Sequence, residues 1–174
     1  MTTIPTIETE RLWLRPFTPE DAPTVHQILS GPDVLKYFPG PQTVTEAQVE
    51  RMISRILAHW QEHGYGLWAV EQRTTGALLG RCGLQRITET NEVEIDFILD
   101  PASWGQGFAT EAGLASLNFG FEQLNLPEVV GIVHPENLAS QRVLQKLGMQ
   151  FTAATEYFGM AVHRYVKFQP DPNQ

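Results

Sequence analysis

The chain has 174 residues, of which 42% are hydrophobic and 10% aromatic, and this predicts a single domain over residues 1–174 with a substantial core. A formal net charge of −8 argues against a nucleic-acid-binding protein, which needs a basic surface to displace counterions, and favours a cationic substrate. Cys82 is the only cysteine, so no intramolecular disulfide can form. With no signal-like start and no membrane-length apolar run, the chain is expected in the cytoplasm, away from membranes. The tails, Met1 to Thr6 and Gln169 to Gln174, are expected to be loose.

The first half of the chain carries the signals of one strand, two clear helices and a three-stranded meander. Thr18-Pro19 is typical of a helix start, and Thr45 with Gln48 forms a capping box before a long apolar periodicity that Gly64 ends. The predicted elements are a strand at Arg11 to Arg15, helices at Thr18 to Leu29 and Thr45 to His63, a short helical piece at Asp33 to Phe38, and strands at Gly66 to Gln72, Ala77 to Leu84 and Glu92 to Leu99.

The second half alternates between helical and extended patterns. The predicted elements are a helix at Thr110 to Leu124, a strand at Glu128 to Val133, a helix at Asn137 to Leu147, and strands at Phe151 to Tyr157 and Val162 to Phe168. A strand, helix, strand, helix order implies a crossover connection and locally parallel pairing beside antiparallel strands. The predicted fold is therefore a mixed α/β (α+β) sheet flanked by helices.

Two glycines one residue apart, Gly105 and Gly107, separate a predicted strand from a predicted helix. A helix start presents unpaired N–H groups and the positive end of the helix dipole, so such a turn suits a phosphate. No Gly-Lys-Ser or Gly-Lys-Thr follows, which excludes a Walker-type loop, and a dinucleotide loop would need a third glycine where Thr110 stands. The remaining interpretation is a pyrophosphate loop of the coenzyme A type.

Four blocks in order carry a resemblance to a known family. The blocks are ETERLWLRPFTPED, GYGLWAVEQRTTGALLGRCGL, VEIDFILDPASWGQGFATEA and VHPENLASQRVLQKLGM. Together they resemble the GNAT superfamily of N-acetyltransferases, and within it the ribosomal-protein-acetylating Rim branch. The family's loop pattern falls on Trp104, Gly107 and Ala109, with Trp104 in place of the usual Arg or Gln.

The resemblance implies a mostly antiparallel sheet that splays between the Glu92 to Leu99 and Glu128 to Val133 strands, the fourth and fifth predicted, with acetyl-CoA in the gap. It implies that the pantetheine pairs with the backbone of Phe97, Ile98 and Leu99. Asn137 matches a coenzyme-contacting asparagine of the family. The pyrophosphate would lie on the loop after Trp104, against the N–H groups of Gly105, Gln106, Gly107, Phe108, Ala109 and Thr110.

Acetyl transfer from a thioester to an amine needs a neutral amine, donors for the developing oxyanion and a proton for the departing thiolate. Glu94 and Asp96 share one face of a predicted strand, and Glu92 joins them if the strand is unbroken. We expect Glu94 to act as the general base, through a water molecule. The alternatives are that these carboxylates are solvated or face opposing charges on a neighbouring strand.

The proton donor is less clearly marked in the sequence. Asn137 and Ser140 lie at the start of the last predicted helix. Asn137 suits the N-cap, and Ser140 suits a first-turn residue whose hydroxyl bonds a backbone group. In the resembling family Ser140 can protonate the thiolate. Many of those enzymes use a tyrosine one turn later, but Leu144 occupies that position, so Ser140 or water must serve.

Other chemically suggestive residues are interpreted as structural or secondary. His59 to His63 fits an H-x-x-E-H zinc pattern without a third ligand, so no metal is expected. Cys82 lies in a predicted strand and is interpreted as a small core residue. Arg142 and Lys146, on the polar face of the Asn137 helix, are interpreted as a solvated face, with contact to the coenzyme's phosphates as the alternative. The substrate-side candidates are His134, His163, Arg164 and Tyr165, and the Pro39 to Thr45 segment is expected to shape acceptor specificity.

The resulting hypothesis is a cytoplasmic, acetyl-CoA-dependent N-acetyltransferase that transfers directly to a primary amine without a covalent enzyme intermediate. The Rim resemblance favours a protein N-terminal amine of the ribosomal-protein type. Aminoglycosides and polyamines stay open as acceptors, as do a non-catalytic acyl-CoA-binding module and, less favoured, a dinucleotide oxidoreductase. A monomer or homodimer is expected.

Overall fold

The computed structural model describes Met1 and residues 3–171. In this part of the chain eight strands form one sheet: β1 (Ile7–Glu8), β2 (Leu12–Arg15), β3 (Leu67–Gln72), β4 (Leu78–Arg86), β5 (Val93–Leu99), β6 (Glu128–Val133), β7 (Gln150–Tyr157) and β8 (Met160–Phe168). The α-helices are α1 (Ala22–Leu29), α2 (Glu46–His63), α3 (Phe108–Asn118) and α4 (Leu138–Lys146). Short 3₁₀ turns precede α1 and follow β5, at Pro19–Asp21 and Pro101–Ser103.

The sheet is mixed, with strand order β1-β2-β3-β4-β5-β6-β8-β7. All neighbouring pairs are antiparallel except β5 and β6, which are parallel and are joined through α3. The β5–β6 pairing is limited to Glu94 opposite Val130, whereas β4 and β5 stay paired along the whole of β5. The sheet therefore splays between β5 and β6, which confirms the predicted fold class.

Helices cover both faces of the sheet. Arg81 on β4 reaches Met52 of α2, and the next residue, Cys82, contacts Ser116 of α3. Because successive strand residues point to opposite faces, α2 and α3 must lie on opposite sides. Trp60 of α2 is fully buried and donates its indole N–H to the Leu67 carbonyl, which ties this helix to the sheet.

Two predicted helix boundaries differ from the structure. Asp33 to Phe38 forms turns instead of a helix, and Asp33 has a φ of 60°, which a continuous right-handed helix cannot contain. Helix α3 begins at Phe108, two residues before the predicted Thr110, because Gly107 is its N-cap. It ends at Asn118 and continues as one π-helical turn over Phe119–Gln123.

The predicted loose tails are partly tied to the fold. The Pro5 carbonyl accepts a hydrogen bond from the Trp68 indole, and Ile4 packs against the core. At the other end the Gln169 N–H donates to Pro127 and its side chain to Phe121. Residues 172–174 of the predicted tail lie outside the described residues. Within the described part of the chain, no helix combines the length and apolarity that a bilayer span requires.

Candidate active site

Two cavities meet beside the gap between β5 and β6. The first, the Glu94 cavity, has a volume of about 410 Å³, and its walls include Pro39, Arg81, Glu94, Asp96, Tyr157 and Met160. The second, the Gly107 cavity, has a volume of about 520 Å³, and its walls include Lys36, Leu99, Gly105, Gly107, Thr110 and Arg142. Both are of ligand-binding size. The residues that line both cavities, and so mark their junction, are Tyr37, Phe38, Phe97, Ile98, Asn137 and Ser140.

The glycine turn forms an open donor surface at one end of the Gly107 cavity. Gly105 and Gly107 have φ values of 73° and 83°, a left-handed conformation that side chains disfavour. The N–H groups from Gly105 to Thr110 have no acceptor among the described residues, as expected for the start of a helix. A Cβ on Gly105 would meet nothing within 4 Å, so the turn leaves open space next to these donors. The geometry suits an anion.

The wall of the Gly107 cavity carries an excess of positive charge. Three cations, Lys36, Arg142 and Lys146, line the Gly107 cavity together with one carboxylate, Asp33. Arg142 and Lys146 both reach the cavity wall, which the alternative of a contact with the coenzyme's phosphates requires. A local excess of positive charge in a chain of net charge −8 favours an anionic ligand at this position.

Only alternate residues of β5 direct their backbone N–H and carbonyl groups into the gap between β5 and β6. Asp100 donates its N–H to Leu79 on β4, and the Ile98 carbonyl lies against Gly80. Because hydrogen-bonding direction alternates along an antiparallel ladder, the peptide groups of Ile98 face β4, whereas those of Phe97 and Leu99 face the gap. The expected pantetheine contact with the Ile98 backbone is thus corrected to its two neighbours.

Two loop residues differ from their expected positions. The Trp104 side chain is about half exposed and lines the Gly107 cavity, and its indole N–H donates to the Leu99 carbonyl at 2.8 Å. Gln106 does not line the cavity: its side chain donates to the Ala102 carbonyl at 3.1 Å and points away from the donor surface. Only its backbone N–H remains available to a ligand.

The three carboxylates at β5 have different partners. Glu92 pairs with Arg164 at 2.6 Å and accepts the Tyr157 hydroxyl, and Asp96 pairs with Arg81 at 3.0 Å. An opposing charge on the neighbouring strand β4 accounts for Asp96, and one on β8, beyond β6, accounts for Glu92.

Glu94 accepts only the neutral amide of Gln85, at 2.8 Å, and has no ion pair. Burial, and then the nearby charge of Asp96, raise the pKa of Glu94 from 4.5 to about 8. A carboxylate of this kind, on the wall of a cavity, has the pKa that a general base near neutral pH requires.

Asn137 and Ser140 lie at the junction of the cavities. The Asn137 side chain accepts the Ser140 N–H at 3.1 Å, so Asn137 is the N-cap of α4, as one of the two interpretations held. The Ser140 hydroxyl makes no hydrogen bond among the described residues and is partly exposed to both cavities. Leu144, where the family's tyrosine would stand, is buried in the core.

Tyr37 is a junction residue that the sequence did not indicate. It lies in the turn segment after α1, and its ring stacks on His134 with a centroid distance of 5.0 Å. No motif or periodicity marks it, because its position depends on how this segment folds across the end of β6.

The other substrate-side candidates separate into two groups. His134 lines the Glu94 cavity, and so do Pro39, Pro41 and Val44 of the expected specificity segment. His163, Arg164 and Tyr165 do not line it. The part of the C-terminal hairpin that does is nearer its turn, at Tyr157, Phe158, Met160 and Val162.

The remaining motifs have structural explanations. The Nδ1 of His59 bonds the Tyr65 carbonyl and its Nε2 accepts the Arg86 N–H, so both ring nitrogens are used by backbone groups. No group of three or more His, Cys, Asp or Glu side chains that could hold a metal occurs among the residues described. Cys82 is fully buried, and burial raises the pKa of its thiol to about 12.

A splayed mixed sheet, a glycine-capped helix start beside the splay and two cavities that meet there define an acyltransferase of the coenzyme-A-dependent class. The sequence model of the Acetyltransferase (GNAT) domain matches residues 11–150, and this chain belongs to that family. It is accordingly an acetyl-CoA-dependent acyltransferase, as predicted.

Relatives and solved structures agree with this assignment. The chain is 34% identical over 146 residues to the uncharacterized N-acetyltransferase p20 of Bacillus licheniformis, which covers 83% of this chain and 82% of the relative. It is 32% identical over 140 residues to the spermidine N(1)-acetyltransferase of Escherichia coli K12, at 78% and 70% coverage. The crystal structure of an acetyltransferase from Agrobacterium tumefaciens C58 superposes with a TM-score of 0.84 at 28% identity, with 96% of both chains covered.

Proposed function

We propose that this enzyme transfers the acetyl group of acetyl-CoA directly to the α-amine of a protein N-terminus, of the ribosomal-protein type that the Rim resemblance implies. The observation that carries the proposal is the junction of two cavities, one lined by an excess of cations and the other by Glu94, a carboxyl group with no ion pair among the described residues. Acetyl-CoA supplies the activated acyl group as a thioester. The residues of the chain bind both partners, orient them and move protons.

On the coenzyme side, the N–H groups from Gly105 to Thr110 would hold the pyrophosphate, and Arg142 and Lys146 would add charge around it. The gap-facing backbone of Phe97 and Leu99 would hold the pantetheine as an added strand. In this arrangement the reactive end of the coenzyme would lie at the junction, beside Asn137 and Ser140.

On the acceptor side, Glu94 would accept a proton from the amine, directly or through water. Only two carboxylates, Glu94 and Asp96, line the described part of this cavity, and Arg81 neutralises Asp96. One unpaired carboxylate suits one ammonium group, and the proline and aromatic walls suit the apolar part of a peptide. A polyamine carries further ammonium groups, which such walls would leave unpaired at a cost.

The departing thiolate needs a proton, and two hydroxyl groups lie at the junction. Ser140 would donate it, as the family resemblance implies, and Tyr37 is the second hydroxyl that lines both cavities. Comparing Ser140→Ala with Tyr37→Phe separates them, because removal of the true donor lowers kcat while leaving the affinity for CoA nearly unchanged.

A small amine is the second candidate acceptor, because the spermidine N(1)-acetyltransferase of Escherichia coli is 32% identical to this chain. The test is release of free CoA thiol with peptides of different N-terminal residues, with spermidine and with an aminoglycoside. Mass spectrometry then locates the acetyl group on each product. We expect acetylation at the peptide α-amine. Turnover of spermidine alone would contradict the protein acceptor, and no turnover with any amine would leave a module that only binds acyl-CoA.

A further inference from the structure

Arg11, just before β2, makes a compact set of contacts behind the glycine turn. Its Nη1 donates to the Gln106 carbonyl at 2.8 Å, and its Nε donates to Glu111 at 2.7 Å. The guanidinium also lies 4.4 Å from the centre of the Phe108 ring. Arg11 lines neither cavity, although it contacts a turn whose Gly105 and Gly107 line one of them.

The bond to Gln106 fixes the direction of the next N–H group. No peptide bond of the described chain is cis, so the Gln106 carbonyl and the Gly107 N–H point in opposite directions across one planar peptide. Because Arg11 holds the carbonyl, the Gly107 N–H points away from Arg11, and Gly107 itself lines the cavity. Without this hydrogen bond the peptide could rotate, because Gly107 has no side chain and lies in an exposed turn.

The bond to Glu111 removes an electrostatic conflict. Glu111 lies in the first turn of α3, where its charge stabilises the helix but would repel an anion bound to the same helix start. Arg11 pairs with it through the side chain, and the Arg11 N–H and the Thr9 hydroxyl bind the other carboxylate oxygen at 2.8 and 2.7 Å. The Glu111 charge is therefore compensated within the protein.

We propose that Arg11 is a positioning residue for pyrophosphate binding, which orients the Gln106–Gly107 peptide and neutralises Glu111 without contacting the ligand. The inference rests on the proposed role of the glycine turn as the pyrophosphate site. It assigns a function to a side chain that is almost a hundred residues away in sequence from the turn it supports.

The test compares the dissociation constants of CoA and of pantetheine, which lacks the pyrophosphate, in the wild type and in Arg11→Met. We expect the Kd of CoA to rise about tenfold or more, the scale of a charge-assisted hydrogen bond, while the Kd of pantetheine stays within about twofold. Arg11→Lys keeps the charge but cannot make the two-point contact, so it should also weaken CoA selectively.

Arg73→Met is the matched control. Arg73 ties the same N-terminal segment through the Thr9 and Glu10 carbonyls and pairs with Glu8, but it does not contact the turn. We expect the control to leave the ratio of the two dissociation constants unchanged.

Equal weakening of CoA and pantetheine in the Arg11 variants, or no weakening, would overturn the proposal. A wild type that bound CoA no better than pantetheine would instead refute the pyrophosphate assignment of the turn, and Arg11's role with it.

Discussion

Replacing Glu94 by glutamine should lower activity and raise stability at the same time. Glutamine has nearly the same volume and retains a hydrogen bond to Gln85, so the substitution removes the charge and little else. Loss of a general base typically costs about 10²- to 10⁴-fold in rate. We expect kcat/KM of Glu94→Gln to fall within that range, with the affinity for CoA unchanged.

The pH dependence follows from the raised pKa of about 8 at Glu94. At pH 7 only about one tenth of the free enzyme carries the ionised base, and at pH 9 about nine tenths does. Ionisation of Glu94 alone should therefore raise wild-type kcat/KM about tenfold over this interval. The acceptor amine also titrates, near 8 for a peptide α-amine and near 10.4 for a lysine-like amine. Its contribution cancels in the ratio of wild-type to Glu94→Gln kcat/KM measured with one acceptor, and we expect this ratio to rise about tenfold from pH 7 to pH 9.

The stability change has the opposite sign. The pKa of Glu94 is higher in the folded than in the unfolded chain, so the folded state binds more protons between pH 4.5 and about 8 and wild-type stability falls as pH rises through this window. Glutamine cannot ionise. Denaturant titrations should find Glu94→Gln close to the wild type at pH 4 and more stable at pH 8 and above.

Glu92→Gln, at the residue just before β5, is the matched control. Hydrogen bonds from Tyr157 and Thr90 and the charge of Arg164 outweigh burial and lower the pKa of Glu92, so its neutralisation should destabilise the fold at neutral pH without removing the rise in kcat/KM that Glu94 causes. The assignment of Glu94 as the base would be refuted if Glu94→Gln retained wild-type kcat/KM and its pH dependence, or if only Glu92→Gln lost them.

Three further results are expected. Gly107→Ala should cost about 1–2 kcal/mol of unfolding free energy, because φ is 83°. Its Cβ would lie 3.3 Å from Arg11 Nη2 and disturb the contact that orients the turn, so it should weaken CoA more than pantetheine; equal effects on the two affinities in calorimetry would contradict the loop assignment. Trp60→Ala should cost about 3–5 kcal/mol in urea unfolding, since the indole is fully buried and hydrogen-bonded, and a loss below about 1 kcal/mol would contradict its place in the core. Cys82 should react with a thiol reagent at pH 8 only after denaturation, because its pKa is about 12; rapid labelling of the native protein would show that it is accessible.

Features that depend on near neighbours could be predicted from the sequence. The capping box of Thr45 and Gln48 is present as predicted, because both of its hydrogen bonds join residues three apart. Gly105 and Gly107 both adopt the left-handed backbone conformation, which few other residues tolerate. The order of the elements predicted the crossover and the local parallel pairing, whereas the splay of the sheet followed from the family resemblance.

The acceptor side could not be predicted in the same way. Tyr37 reaches the junction only because its segment folds into turns across the end of β6, and nothing in its neighbours indicates that path. The segment was predicted as helical, and the left-handed Asp33 prevents this. On the coenzyme side, the contact behind the glycine turn could not be predicted either, because Arg11 and Glu111 are 100 residues apart in the sequence.

The sequence by itself determined the order of strands and helices, the glycine turn at a helix start and a strand with three alternating carboxylates. It could not rank those carboxylates, because all three have the same local pattern. Only the tertiary structure paired Glu92 with Arg164, 72 residues away, and Asp96 with Arg81, 15 residues away. Glu94 is left with a neutral partner in a cavity wall, because charge compensation is a property of strand register and not of sequence spacing.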